Sequence, residues 1–156
     1  MSIRVGLGVD AHRFGGDGPL WLGTIAVEHP HGLVGHSDGD VVAHAVCDAL
    51  LAAAGLPDIG AHFPPGDPKW AGVSGAHLLE LTGAEIGRAG ASAVNVHAVV
   101  ICEAPRIGPH REAMQVAMSR AVGADVSVAA TTTERMGFTG RGEGVACEAV
   151  ALVEMS

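Results

Sequence analysis

Asp10 and His12 stand two positions apart at the end of an alternating apolar segment, and His44 lies farther on, in a segment with helical spacing. One carboxylate and two imidazoles form a three-ligand set for a divalent ion such as Zn²⁺, and the same donors also suit Mn²⁺ or Fe²⁺. Three protein ligands leave one tetrahedral position open to water or substrate, which is the pattern of a catalytic rather than a structural ion. The chain holds nine histidines, so ordinary structural or surface roles are the competing account of these two.

Three other segments carry groups suited to phosphate chemistry. His36-Ser37-Asp38-Gly39-Asp40 precedes the helical segment. Ser37 or Asp38 can simply cap that helix; alternatively His36 and Ser37 donate hydrogen bonds to a phosphate, helped by free N–H groups of the helix N-terminus. Thr131-Thr132-Thr133-Glu134 sets three hydroxyls and a carboxylate at the end of an apolar run, followed by a glycine-rich stretch, Gly137 to Gly144. That pattern suits phosphate oxygens with Mg²⁺, or else a Thr-rich strand end and a hairpin. It is not a P-loop, because the Gly-Lys-Ser/Thr ending is missing. Ala104-Pro105-Arg106-Ile107-Gly108-Pro109 reads as a stiff turn whose backbone can hydrogen-bond a base.

The elements that must position these groups follow from periodicity. Ile3, Val5, Leu7, Val9 and Ala11 alternate with Arg4, Gly6, Gly8, Asp10 and His12, a period of two that predicts a strand. Asp10 and His12 then share the face opposite the apolar one. Gly15 to Pro19 reads as a loop, and Leu20 to Val27 as a second strand paired with the first. A helix is predicted from Asp40 to about Ala54, stopped by Gly55 and Pro57. It aligns Asp40, His44 and Asp48 on one polar line, where Asp48 is a candidate to orient a ligating histidine. The Pro-rich stretch Asp58 to Ala71 shows no sustained period. A helix is expected over about 75–89, a strand over 94–103, a helix opened by Pro109 and closed by Gly123, and strands over 126–131 and 145–154. The helix after Pro109 carries an apolar stripe of Met114, Ala117, Met118, Ala121 and Val122. The last strand is apolar on both faces, Cys147 and Val153 on one and Val150 and Leu152 on the other, so a neighbouring subunit is expected to cover one of them.

At 156 residues the chain is sized for one domain, expected to span 1–156. A hydrophobic content of 48% and a mean hydropathy of +0.33 imply a well-filled core or a subunit interface, because no apolar run is long enough to cross a bilayer. The formal net charge of −8 argues against nucleic acid as a partner. An anionic substrate would need metal ions and backbone N–H groups for neutralisation. Cys47, Cys102 and Cys147 are odd in number and widely spaced, which reads as buried free thiols in a reducing compartment. With no leader-like pattern at the N-terminus, a bacterial cytoplasm is the expected location.

Together the motifs Gly8-Val9-Asp10-Ala11-His12, His36 to Asp40 with His44, Asp58-Ile59-Gly60, Ala104-Pro105 and Thr131 to Glu148 closely resemble the 2-C-methyl-D-erythritol 2,4-cyclodiphosphate synthase family, in family order and over nearly the whole chain. The resemblance implies an α+β, two-layer subunit, with a mixed sheet covered on one face by helices and the other face turned to the threefold axis of a homotrimer. Active sites would lie between subunits, and an isoprenoid can occupy the axial cavity. It implies Zn²⁺ on Asp10, His12 and His44, and Mg²⁺ or Mn²⁺ on Glu134 beside the substrate diphosphate. His36 and Thr132 match positions of transition-state stabilisation. Ser37, Thr131 and Thr133 match phosphate contacts, while Asp58 and Gly60 match contacts to the erythritol portion, and Ile59, Phe63 and Asp67 join them as substrate contacts. Cys102, Ala104, Pro105, Arg106, Ile107 and Gly108 match the cytosine cradle. Phe138 and Arg141 match further substrate positions, and Arg141 with Glu148 matches polar residues near the axis.

The implied reaction converts a cytidine-diphosphate substrate to a cyclic diphosphate and CMP by intramolecular phosphoryl transfer in non-mevalonate isoprenoid synthesis. Two positions depart from the family pattern: Pro65 replaces a common acidic residue, and Arg106 a common lysine. A metal-dependent phosphohydrolase and a non-catalytic trimeric binding protein are the competing functions. Hydrolysis would open the diphosphate rather than close it, and a binding protein would show no turnover.

Overall fold

The computed structural model describes residues Met1–Ser156. Its strands are β1 (Ser2–Gly16), β2 (Leu20–Leu22), β3 (Ile25–Val27), β4 (Gly32–Leu33), β5 (Ala91–Ile101), β6 (Asp125–Thr131) and β7 (Gly144–Met155). Its helices are α1 (Val41–Ala53), α2 (Ile59–His62), α3 (Gly75–Arg88), α4 (Arg111–Val122) and α5 (Gly137–Gly140). Five strands form one sheet of order β4-β1-β7-β5-β6. Only β5 and β6 run parallel; the other neighbours are antiparallel, so the sheet is mixed.

The alternation in β1 is real, but the buried face is not the apolar one. Ile3, Val5, Leu7 and Val9 are 57–66% exposed, whereas Gly6 and Gly8 are buried beneath α1. A Cβ on Gly6 would lie 2.2 Å from the Ala49 carbonyl oxygen, and one on Gly8 would lie 2.0 Å from that of Ala45. Glycine in the strand therefore marks a close backbone approach. It lets α1 lie directly on the sheet. Asp10 and His12 share this glycine face and so point toward the helix rather than away from the protein body.

Helix α1 is composed of Ala, Val, Leu and Cys apart from His44 and Asp48, and of these apolar residues all but Ala52 are buried. A helix apolar on nearly all sides must be enclosed. Here α1 packs on β1 and β7 below and against α3 alongside. Val96, Ala98 and Val100 of β5 and Cys147, Ala149, Ala151 and Val153 of β7 complete the same core, with Met114 and Met118 of α4. The opposite sheet face carries Ile3, Val5, Leu7, Val9 and Val150, uncovered within one chain. The last strand is thus apolar on both faces, as expected.

Several elements differ from the sequence expectation. The segment Leu20 to Val27 does not pair with β1. It folds on itself as the hairpin β2–β3, while β1 runs on through Gly16 to pair with β4. The tight hairpin places Thr24 at φ 68° and Gly23 at φ 61°. Neither Ser37 nor Asp38 caps α1; Asp40 does, accepting from the N–H of Ala43. The stretch 58–71 contains α2 and a 3-10 turn, Pro68–Trp70, capped by the side chains of Asp58 and Asp67. Gly123 ends α4 in the left-handed conformation, φ 79°. No helix is long and apolar enough to cross a membrane.

Candidate active site

Close seating of α1 on β1 brings His44 over Asp10 and His12. Asp10 Oδ2 lies 2.9 Å from His12 Nε2 and 3.1 Å from His44 Nδ1, and the two nitrogens are 3.2 Å apart. Ligand atoms of a tetrahedral Zn²⁺ held at about 2.0–2.1 Å stand about 3.3 Å from one another. The three donors already form a triangle of nearly that size, and two nitrogens and an oxygen this close need a proton or a cation among them. The residues present therefore fit a divalent ion.

The remaining ring nitrogens fix the orientation of both imidazoles. His12 Nδ1 donates to the Val34 carbonyl oxygen at 2.9 Å, leaving Nε2 to face the cluster. His44 Nε2 donates to Ser37 Oγ at 2.9 Å, leaving Nδ1 to face it. Such outer contacts set tautomer and ligand basicity. Burial pushes the Asp10 carboxyl up, but hydrogen bonds and charge from His12 and His44 outweigh it and hold the group down at about 2. The hydrogen bond to Asp10 raises His12 above its ordinary value, against a smaller opposing effect of burial.

Of the polar line on α1, only His44 joins the cluster. Asp40 is fully buried and accepts from the N–H groups of Gly23, Thr24 and Ala43, clamping the β2–β3 hairpin to the helix start. Asp48 accepts from Ile59 N at 2.8 Å, so it anchors the start of α2 instead of orienting a histidine.

The structure gathers many of the other predicted residues into two groups. A cavity of about 180 Å³ joins His12 and His44 to His36, Ser37, Ile59, Gly60 and Phe63, with Pro65 and Trp70. His36 Nε2 donates to the Asp67 carbonyl oxygen at 3.0 Å, tying the loop to the metal side. A second cavity, about 590 Å³, is lined by Cys102, Glu103, Pro105, Arg106, Ile107, Gly108, Thr131 and Thr132, among others. It opens where the parallel strands β5 and β6 end, with Ala104 in the turn between its walls. Thr133 sits beside it, its hydroxyl bonded to Met136 O and Thr139 Oγ1. Glu134, Phe138 and Arg141 are exposed and line neither cavity. Arg141 pairs with Glu143 at 2.8 Å.

Sequence reasoning missed the placing role of Gly6 and Gly8, whose alternation within a strand was the available signal. It also missed Asp40 as a clamp and Glu103 as a bridge, described below. The Val34 carbonyl that orients His12 carries no side-chain signature at all.

Comparison with known proteins agrees with this geometry. Residues 3–154 match the YgbB family. The chain is 51% identical over 156 residues to the bifunctional enzyme IspD/IspF of Erythrobacter litoralis, covering 98% of this chain but only 40% of that longer protein. It is 50% identical over 155 residues to the 2-C-methyl-D-erythritol 2,4-cyclodiphosphate synthase of Desulfatibacillum aliphaticivorans, covering 97% of this chain and all of that one. A solved 2C-methyl-D-erythritol-2,4-cyclodiphosphate synthase in a CDP-bound form superposes with a TM-score of 0.87 at 34% identity, over 97% of this chain and all of that one. By family match, by identity along its length and by fold, the chain belongs to the YgbB family, that of the 2-C-methyl-D-erythritol 2,4-cyclodiphosphate synthases.

Proposed function

We propose that this chain converts 4-diphosphocytidyl-2-C-methyl-D-erythritol 2-phosphate to 2-C-methyl-D-erythritol 2,4-cyclodiphosphate and CMP. An oxygen of the 2-phosphate attacks the β-phosphorus, the bond from that phosphorus to the bridging oxygen breaks, and the bridging oxygen leaves with CMP. The observation that carries this is the converged Asp10, His12 and His44 triangle opening on a cavity shared with His36 and Ser37. Family membership and the CDP-bound relative support the substrate class.

Nucleophile and electrophile are both anionic and tethered in one molecule, so catalysis consists of folding the substrate and stabilising charge. A divalent ion on Asp10, His12 and His44, read as Zn²⁺, and a Mg²⁺ or Mn²⁺ at Glu134 would supply the positive charge that this acidic chain lacks. The protein does the rest. His36 is held through Nε2 by the Asp67 carbonyl, which fixes the ring beside the cavity where a phosphate is expected. Ser37 Oγ accepts from His44 Nε2 and Gly39 N, so its own hydrogen is free to donate. The Thr132 hydroxyl is assigned to the developing charge at phosphorus, and Thr131 and Thr133 to the diphosphate. The backbone from Cys102 to Gly108 is assigned to cytosine, with Arg106 near the nucleotide phosphate. Asp58 and Gly60 are assigned to the erythritol portion, with Ile59, Phe63 and Asp67 as further substrate contacts, and Phe138 and Arg141 are assigned to the substrate from α5 and its C-terminal end.

The metal group and the nucleotide group line separate cavities in one chain. Together with the exposed apolar sheet face, this supports a homotrimer in which each complete site takes one half from each of two neighbours, leaving an axial cavity near Glu148 for an isoprenoid. The chain is assigned to a bacterial cytoplasm and to one domain, 1–156.

The test is ³¹P NMR of the protein with the cytidine-diphosphate substrate, with Mg²⁺ and then with chelator. A cyclic diphosphate appearing with CMP and abolished by chelation is expected. Open phosphates would replace this function with hydrolysis, and binding without turnover would replace it with a non-catalytic role.

A further inference from the structure

We infer that Glu103 is a positioning residue that ties the nucleotide-binding turn to the turn presenting Glu134. The names given to the two turns rest on the function proposed above; the tie itself does not.

Strands β5 and β6 end side by side, and their ladder continues one step further through Cys102 N donating to Thr131 O at 3.2 Å. Beyond that point the chains diverge into residues 103–110 on one side and 132–136 on the other. Glu103 Oε1 accepts from Arg135 N at 3.1 Å, and no other side chain bridges the two turns by a hydrogen bond. The bond falls at the most demanding place in the second turn. Glu134 and Arg135 are consecutive non-glycine residues in the left-handed region, at φ 53° and 64°, a conformation that L-residues avoid and that persists only when surroundings over-determine it.

Those surroundings are visible. Glu134 N is held by Thr132 Oγ1 at 3.3 Å, and Met136 N by Thr133 O at 3.0 Å. Gly140 presses behind, where a Cβ would sit 2.3 Å from the Arg135 carbonyl carbon. Glu103 closes the opposite side. The turn is therefore gripped between α5 and the first residues of the nucleotide cradle, and Glu134 leaves it in a fixed direction. The bond also turns one oxygen of a cavity-lining carboxylate toward a backbone donor beside Thr131 and Thr132, where diphosphate is expected. Glutamine at this position keeps an acceptor oxygen, whereas alanine removes it.

The experiment compares wild type, Glu103→Ala and Glu103→Gln. Amide exchange of the ligand-free protein is followed over 131–140, alongside kcat and KM. For Glu103→Ala we expect exchange at Arg135 to rise about tenfold and kcat to fall about tenfold, the factor one lost hydrogen bond is worth. KM should move less than about threefold, because the cradle keeps its backbone groups. Glu103→Gln should restore both within about threefold. Unchanged exchange or unchanged kcat in Glu103→Ala would overturn the inference. So would equal losses in Glu103→Gln, because charge and not the bond would then be responsible. If the wild type makes no cyclic product, the proposed reaction fails, and exchange in the ligand-free protein still decides the role of Glu103.

Discussion

Substituting Gly8 by alanine should disable the metal site from beneath the helix, where α1 rests on β1. No ligand is altered and no charge is changed. The added Cβ would stand 2.0 Å from the Ala45 carbonyl oxygen and 2.6 Å from Ala49 N, both rigid helix backbone. Real Cβ contacts essentially never fall under 3.0 Å, so α1 must retreat from β1 by about 1 Å. His44 immediately precedes Ala45 and rides with it. Its Nδ1 is now 3.1 Å from Asp10 Oδ2; the retreat opens that edge to about 4 Å, wider than the roughly 3.3 Å of a tetrahedral ion's ligands. Overpacking of this kind costs about 1–3 kcal/mol of stability, and displaced ligation should weaken Zn²⁺ by at least the 10–100-fold seen when supporting contacts are lost. Competition with a chromogenic chelator measures the affinity, and thermal unfolding measures the stability. Gly87→Ala is the control, since nothing lies within 4 Å of its added Cβ; it should leave the affinity unchanged and raise the stability by up to about 1 kcal/mol, alanine being the better helix former. Wild-type affinity in Gly8→Ala would refute the claim that backbone contact at this glycine sets the site.

Leu7→Asp, on the outer sheet face where Leu7 is 59% exposed in one chain, should retain the fold but shift the protein to smaller species in light scattering. Each subunit would forfeit about 2 kcal/mol of burial at the proposed interface. Ser37→Ala should weaken Zn²⁺ about 10–100-fold by freeing the His44 ring, as measured by the same chelator competition; unchanged affinity would remove Ser37 from the ligand scaffold. Burial pushes the Cys47 thiol up to about 12 and that of Cys102 up to about 11, and raises Cys147 further in the same direction. All three should be silent to a disulfide reagent at pH 8 until the protein is denatured, when three thiols should titrate.

The period-two pattern in β1, the stop of α1 at Gly55, and the Pro–Gly bracket around α4 were legible because each expresses a local rule. What periodicity cannot give is the identity of the inner face. Ile3, Val5, Leu7 and Val9 look like core by every transfer scale, yet the glycine face lies inward, because interatomic approach and not hydrophobicity decides where a helix can sit. The same contact turned two plausible polar lines into one site, uniting His44 with Asp10 and His12 while Asp40 and Asp48 took backbone N–H groups. Those two carboxylates were indistinguishable in sequence from ligands, since their partners, Gly23, Thr24 and Ile59, contribute only main-chain groups. The β2–β3 hairpin was missed for a related reason: Gly23-Thr24 is a weak turn signal inside an apolar run, and Asp40 supplies the support from elsewhere.

Separation of the two half-sites has a consequence that subunit mixing can measure. His44→Ala damages only the metal half and Thr132→Ala only the nucleotide half, so each variant alone should be inactive or slow. If every complete site takes its metal half from one subunit and its nucleotide half from the next, a one-to-one random mixture of the two variants regenerates intact sites. An intact site needs a Thr132→Ala subunit on the metal side and a His44→Ala subunit on the other, which cyclic symmetry delivers at about one site in four. Co-expression of the two variants should therefore recover about a quarter of wild-type turnover, and the recovered enzyme should bind about half the wild-type complement of Zn²⁺ because only one variant retains His44. Sites contained within single chains would recover nothing at any ratio, since no subunit then carries both halves undamaged. The ratio dependence sharpens the test: recovery that is symmetric about equal amounts and vanishes at either extreme belongs to a shared site, whereas activity rising linearly with one variant would mean that the other residue was never required.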